Sequence, residues 1–308
     1  SKKPPSIDAE TQARLQEVEI KDMATRTAIQ GDLGPPALGE KEIEQLNFDH
    51  PDLVDTLGGQ VLFLRKDPFK CTFFVMTREA ILSGNLEPPD LNFRALFARG
   101  HLRRVEVDSR QLLNGVRVTG LAFVSHGEYQ DQDDPQIGRD LGDMAIVLKA
   151  HTDITSVWWD FASLPRGPRS PLESELVFKT TAHLPLARLT QKVIMLLMPQ
   201  DLEAFSCGHQ AFLATHMVSA GGMVSASTKK VNSCCIFKEG EAEEMLQALS
   251  GWRDMSLEAA TDALASMPVR SIEKVRMVTR LSQLQSCIVN ALAAKLEEQR
   301  ITISEGGI

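Results

Sequence analysis

Several residue groups in this chain of 308 residues have the types that could do chemistry. Ser125 and His126 end an apolar run, "GLAFVSH", and a serine beside a histidine suggests a nucleophile with its base. Neighbours on a strand point to opposite faces, so these two cannot form the hydrogen bond that such a pair needs. Asp131, Asp133 and Asp134 follow in "QDQDDP". A calcium loop requires a glycine at its sixth position and a glutamate at its twelfth, and both are missing. These acids read instead as a solvated turn that caps the next helix. Cys207, His209, His216 and the pair Cys234-Cys235 are metal-ligand types. Zinc takes closely spaced ligand pairs on turns, whereas Cys207-x-His209 is one loose pair and Cys234-Cys235 lies in an apolar segment. They read as buried thiols, with no metal expected. No glycine-rich phosphate loop occurs, and no cofactor is expected. The acids Glu173 and Glu175 are the candidates for an otherwise unassigned carboxylate catalyst.

The remaining candidate is "SVWWDFASLPRGPRSPLESELVF", Ser156 to Phe178. Trp158 and Trp159 should enter opposite sides of a sheet. Asp160 should stand at the C-terminal end of the strand, where it could bind a ribose hydroxyl or cap the basic, proline-rich loop beyond it.

The elements that must position these residues alternate between strand and helix patterns. "VRVTGLAFVS" (Val116–Ser125), Ser156–Phe161, the nearly all-apolar Lys192–Met198 and Val231–Phe237 read as strands. Ile137, Leu141, Met144 and Leu148 fall on one face of a helix. "PLESELVFKTTAHL" opens with proline and acids, as helix N-termini prefer. "GHQAFLATHMVSA" reads as a helix. Helices between strands imply a mainly parallel sheet whose ligand crevice lies beyond the strand C-termini. Upstream, "QVLFLRKD" and "CTFFVMT" read as two strands about a Lys-Asp-Pro turn, and "LNFRALFARG" as a short helix stopping at Gly100. The chain divides into an N-terminal helical extension and linker over 1–58, a lead-in over 59–114, an α/β domain over 115–240 and a helical region over 241–308.

Two stretches in this order resemble one family, the TIR-like domains of microbial eukaryotes. "FVSHGEYQDQDDPQIGRDLGDM" is similar to the family's "VSHRW…HPDP.G.QL" start, through Ser125, His126, Asp134 and Gly138. "VWWDFASLPRGPRSPLESELVF" is similar to its "VWxDFxSLPQ.PRT.EE…F" segment, through Asp160, Ser163, Pro165 and Arg169. The resemblance spans roughly Gly115 to Ser219, a third of the chain. It implies a flavodoxin-like α/β fold. Some members hydrolyse NAD with a glutamate on a later helix, in "Y..RGWC.FE", and others only assemble with partners. That helix registers here on "FSCGHQAFLA", with Phe205 for the tyrosine and Leu213 for the phenylalanine. Gly208, His209, Gln210 and Ala211 replace Arg-Gly-Trp-Cys, Ala214 falls at the glutamate, and Glu128 replaces the tryptophan of "SHRW". The resemblance therefore implies a lost catalytic carboxylate. The surviving motif positions would then serve the fold or a vestigial nucleotide pocket.

Bulk composition is that of an ordinary globular chain, with 43% hydrophobic and 24% charged residues, enough for a large core. With a net charge of -8, a nucleic-acid-binding face is not the default expectation. Five cysteines without framework spacing point to a reducing intracellular compartment, the cytoplasm or an organelle such as the mitochondrion. No apolar run approaches a membrane span, and "SKKPPSIDAE" has no secretory core. The thin apolar stripe of Ile7–Gln30 is an expected contact to other subunits, and the long C-terminal stripe (Ile272, Val275, Val278, Leu281, Leu284, Ile288, Leu292, Leu296) reads first as a helix packed on its own domain and second as one that docks on another subunit. The expected function is a catalytically silent accessory or scaffold subunit. The alternatives are a nucleotide hydrolase and a nucleotide-sensing module.

Overall fold

The computed structural model describes residues 53–57, 60–64, 69–87, 90–129, 131, 133–219, 222–226, 233–235, 242–267, 281–291 and 293. Ile7–Gln30 and the Gly-Pro linker lie outside these residues.

The central feature is a six-stranded sheet. Four of its strands are β5 (Leu121–His126), β6 (Ser156–Trp158), β7 (Lys192–Leu196) and β10 (Ser233–Cys235). They run parallel in the spatial order β10-β7-β5-β6. Two upstream strands extend the sheet beyond β6. These are β3 (Lys70–Thr77), antiparallel to β6, and β4 (Leu102–Asp108), antiparallel to β3. The four expected strands thus share one mainly parallel sheet, and the lead-in segment contributes two more.

Helices cover both faces. On one face α1 (Arg78–Leu82), α2 (Phe93–Ala98) and α4 (Pro135–Ala150) close a core that includes Phe74, Val124, Met144, Trp159 and Ile194. On the other, α3 (Ser109–Leu113) and the later part of α6 (Pro171–Thr190) pack on Phe73, Phe123 and Trp158. Beside them, α7 (Phe205–Ala214), α8 (Ala242–Asp254) and α9 (Leu257–Ser266) pack on Val193 and Met195. Two small hairpins lie outside this sheet, β1 (Leu53–Leu57) with β2 (Gln60–Leu64) and β8 (His216–Ser219) with β9 (Gly222–Ser225), the second packing Val218 and Met223 on the core.

Local chemistry explains the helix starts. Asp134 caps α4, its carboxylate accepting from Gln136 N at 2.8 Å, and Pro135 fills the first turn, where no N–H partner is needed. Ile137, Met144 and Leu148 are fully buried and Leu141 packs against them, as the periodicity requires. Ser170 and Glu173 form a reciprocal capping box at α6.

The sequence reading needs four corrections. β5 begins at Leu121, not Val116, because Gly120 turns the chain at φ +74° and Val116 is exposed. β6 ends at Trp158, and Asp160 opens a helical turn, α5 (Asp160–Ser163), instead of ending a strand. α7 stops at Ala214, so "HMVS" is a strand rather than helix. β2 and β3 do not face each other across the Lys-Asp-Pro turn, since β2 pairs with β1 and β3 with β4 and β6. Of the C-terminal stripe, Leu281 and Ile288 are fully buried and Leu284 packs on the domain core, so this face is covered by its own chain. Ile272, Val275, Val278, Leu292 and Leu296 lie outside the described residues.

Candidate functional site

The chain runs from β5 to β6 on one side and then crosses to β7 on the other. Loops leaving β5 and β7 diverge at such a reversal, and open α/β sheets place ligands there. Of the motif residues, His126 and Asp160 meet at this end of the sheet.

His126 ends β5. Its Nε2 lies 2.6 Å from Asp160 Oδ1, and its Nδ1 lies 2.5 Å from the Gly127 carbonyl oxygen. The Tyr129 ring stacks on the imidazole, with centroids 4.2 Å apart and 10° between planes. Tyr129 donates its hydroxyl to Asp140 Oδ2 at 2.6 Å and accepts from Trp159 Nε1 at 3.2 Å. Gln136 donates to the other oxygen of Asp140. The two carboxylates therefore sit in different surroundings. Burial raises the Asp140 carboxyl above its usual range. Burial would also raise Asp160, but His126, Arg188 and Arg166 outweigh it and hold that carboxyl down at about 2. The Asp160 side chain remains 37% exposed, against 10% for His126.

Ser125 faces the other side of the sheet, with no exposed surface. The same face holds Trp158 and the guanidinium of Arg188, which donates to the Val124 carbonyl at 3.3 Å. Burial lowers Arg188 to about 10, against the opposing pull of Asp160. The expected separation of Ser125 from His126 is thus what the strand imposes. Trp158 and Trp159 part in the same way, the first against Phe73 and Phe123, the second against Tyr129 and Phe161.

The loop after α5 is held by its own charges. Arg166 lies over the Phe161 ring at 4.4 Å, and Arg169 donates to the Pro165 carbonyl at 2.8 Å. The buried Ser163 hydroxyl accepts from Trp159 N at 3.2 Å. Glu173 is buried and takes a two-pronged bond from Arg94, at 2.7 Å to each oxygen, plus one from Ser170 N at 2.8 Å. Glu175 lies 3.9 Å from Lys179 on the same helix. Gly138 sits in the first turns of α4, half-buried.

Sequence reasoning missed how the two lips of the crevice meet. Gly127, after β5, lies so close to Asp201 that a Cβ there would be 3.0 Å from the carboxylate. Asp201 itself accepts from Met198 N at 2.7 Å. Ser206 donates to Glu128 Oε1 at 3.1 Å, and the Cys207 thiol approaches the His126 carbonyl at 3.6 Å. Gly127 was the one legible clue, as a residue without a side chain where the family motif carries arginine. Burial pushes the Cys207 thiol up to about 12, so it is no ready nucleophile.

It is the N-terminal end of α7 that reaches the crevice. Ala214 lies seven residues on from Cys207, about 10 Å along the helix, buried among Leu213, Phe212 and Met195. His209 is buried in α7, and His216 contacts the carbonyls of Phe212 and Met255. The Asp131 and Asp133 loop is exposed, and among the described residues no cluster of His, Cys, Asp or Glu could hold a metal ion. No described helix is long and apolar enough to cross a membrane. In comparison with known proteins the chain matches no family model, no curated protein and no solved structure.

Proposed function

We propose that the chain is a catalytically silent, TIR-like α/β protein that serves as an accessory or scaffold subunit of a larger protein assembly. The strand order β10-β7-β5-β6 supports the fold half of this reading, since flavodoxin-like sheets carry the order 2-1-3-4 in their first four parallel strands. One observation carries the functional half. The loops after β5 and β7, which would part to admit a nucleotide, are joined at Gly127–Asp201, Glu128–Ser206 and His126–Cys207. The polar groups beneath them are turned on each other: His126 on Asp160, Tyr129 on Asp140. An enzyme of this class needs an open site with an available carboxylate. Glu173, one of the two acids named for that role, has both its oxygens on Arg94. The partner contacts are assigned to Ile7–Gln30 and to the C-terminal helix. On the latter the side bearing exposed Val289 is the one left outward.

The test is NAD turnover by the purified full chain. No consumption above buffer is expected, and Glu173→Gln and Glu175→Gln should change nothing. Consumption that either substitution abolishes would establish the hydrolase instead. A sensing module is favoured by one feature, the part-exposed, ionised Asp160 beside Arg166. Calorimetric titration with NAD and ATP separates it from the scaffold, which should give no binding heat.

A further inference from the structure

We propose that Ser170 is a phosphorylation site for a proline-directed serine/threonine kinase, and that its phosphate takes Arg94 away from Glu173. The sequence around it is Arg166-Gly167-Pro168-Arg169-Ser170-Pro171. Gly167, Pro168 and Arg169 are exposed, and Ser170 is half-buried with extended backbone, φ -66° and ψ 164°. Pro171 lacks an N–H and fixes the backbone after the serine, which matches the site to an enzyme that selects proline at the next position. The arginines before it present positive charge on the same approach. In the reaction the Ser170 oxygen attacks the γ-phosphorus of ATP. The new O–P bond replaces the bond to ADP, which leaves, and the serine proton passes to the kinase base.

The surroundings decide both access and consequence. The Ser170 hydroxyl oxygen accepts from Glu173 N at 3.2 Å, and Glu173 returns a bond to Ser170 N. Arg94 holds Glu173 by both oxygens and also donates to the Pro168 carbonyl at 2.5 Å. To reach the kinase, Ser170 must leave this box, and the first turn of α6 must open. The first N–H groups of that turn have no intrahelical acceptors, so the capping box, the Arg94 clamp and the burial of Leu172 in the core together oppose opening. A phosphate on Ser170 sets a near-dianion beside the Glu173 carboxylate and offers Arg94 a more highly charged acceptor. Arg94 then moves to the phosphate. The link between α2 and the start of α6 changes from a buried carboxylate to an exposed phosphate.

The experiment treats the folded full chain with ATP and a proline-directed kinase and maps incorporation by mass spectrometry. Ser170→Ala and Glu173→Gln variants are run alongside, with folding verified by circular dichroism. A synthetic peptide of residues 163–178 serves as the unfolded reference. The expected result is one phosphate at Ser170, none there in Ser170→Ala, and an initial rate in Glu173→Gln about fivefold or more above the parent, as loss of 1 kcal/mol or more from the clamp implies. A folded chain that takes no phosphate at Ser170 while the peptide does overturns the site. An unmodified peptide overturns it as well. Equal rates in the parent and Glu173→Gln overturn the role of the Arg94 clamp.

Discussion

At the scale of single residues the molecule spends its reactive groups on one another. Asp160 is the clearest case. An isolated aspartate in an unfolded chain titrates near 3.9, while His126, Arg188 and Arg166 hold the folded carboxyl at about 2 against burial. The folded value is depressed, so the unfolded state binds the proton more tightly. The stabilisation is fully present above about pH 4 and is lost as pH falls towards 2. Asp160→Asn should therefore unfold with a flatter pH dependence across pH 4 to 2 than the parent, followed by tryptophan fluorescence. An unchanged slope would mean that Asp160 is not held by these cations. The sequence made several of these residues visible and their relations invisible. The alternation rule sufficed to separate Ser125 from His126 and Trp158 from Trp159. Nothing local could pair His126 with Asp160, 34 positions apart, or show that Glu173 answers to Arg94. Those contacts arise from strand order and loop path.

At the scale of elements, apolar periodicity was the reliable guide and the boundaries were not. The stripe on α4 and the all-apolar β7 were legible because packing on one or both faces leaves a pattern in residue type. β4, "LRRVEVD", was not, since an edge strand lined with charge alternates too weakly to register. Glycine placement mattered in α7. A Cβ on Gly208 would come within 2.7 Å of the Trp252 ring of α8, so this glycine sets how closely the two helices pack. Gly208→Ala should lower stability by about 1–3 kcal/mol, the usual cost of overpacking, despite alanine's better helix propensity. Chemical denaturation measures it. A stabilised variant would show that the interface has slack and that the close approach is not enforced.

At the scale of the whole molecule, a mainly parallel sheet carries helices on both faces, and the segments after β5 and β7 touch across its crevice, which is the basis of the proposed scaffold role. Alternation of strand and helix patterns foretold the α/β class and the mainly parallel sheet, while two loop motifs supplied the resemblance. Those same motifs, by themselves, gave no indication that the loops after β5 and β7 meet. The proposed outer contacts are Ile7–Gln30, which lies outside the described residues, and the C-terminal helix. The most direct measurement is therefore the mass of the native assembly. The protein is isolated under mild conditions from the cells that make it, then sized and its companions identified. Migration well above the mass of one chain, together with other subunits and dependent on residues 1–58, is the predicted result. A lone monomer whose behaviour is unaffected by removal of residues 1–58 would contradict the scaffold account.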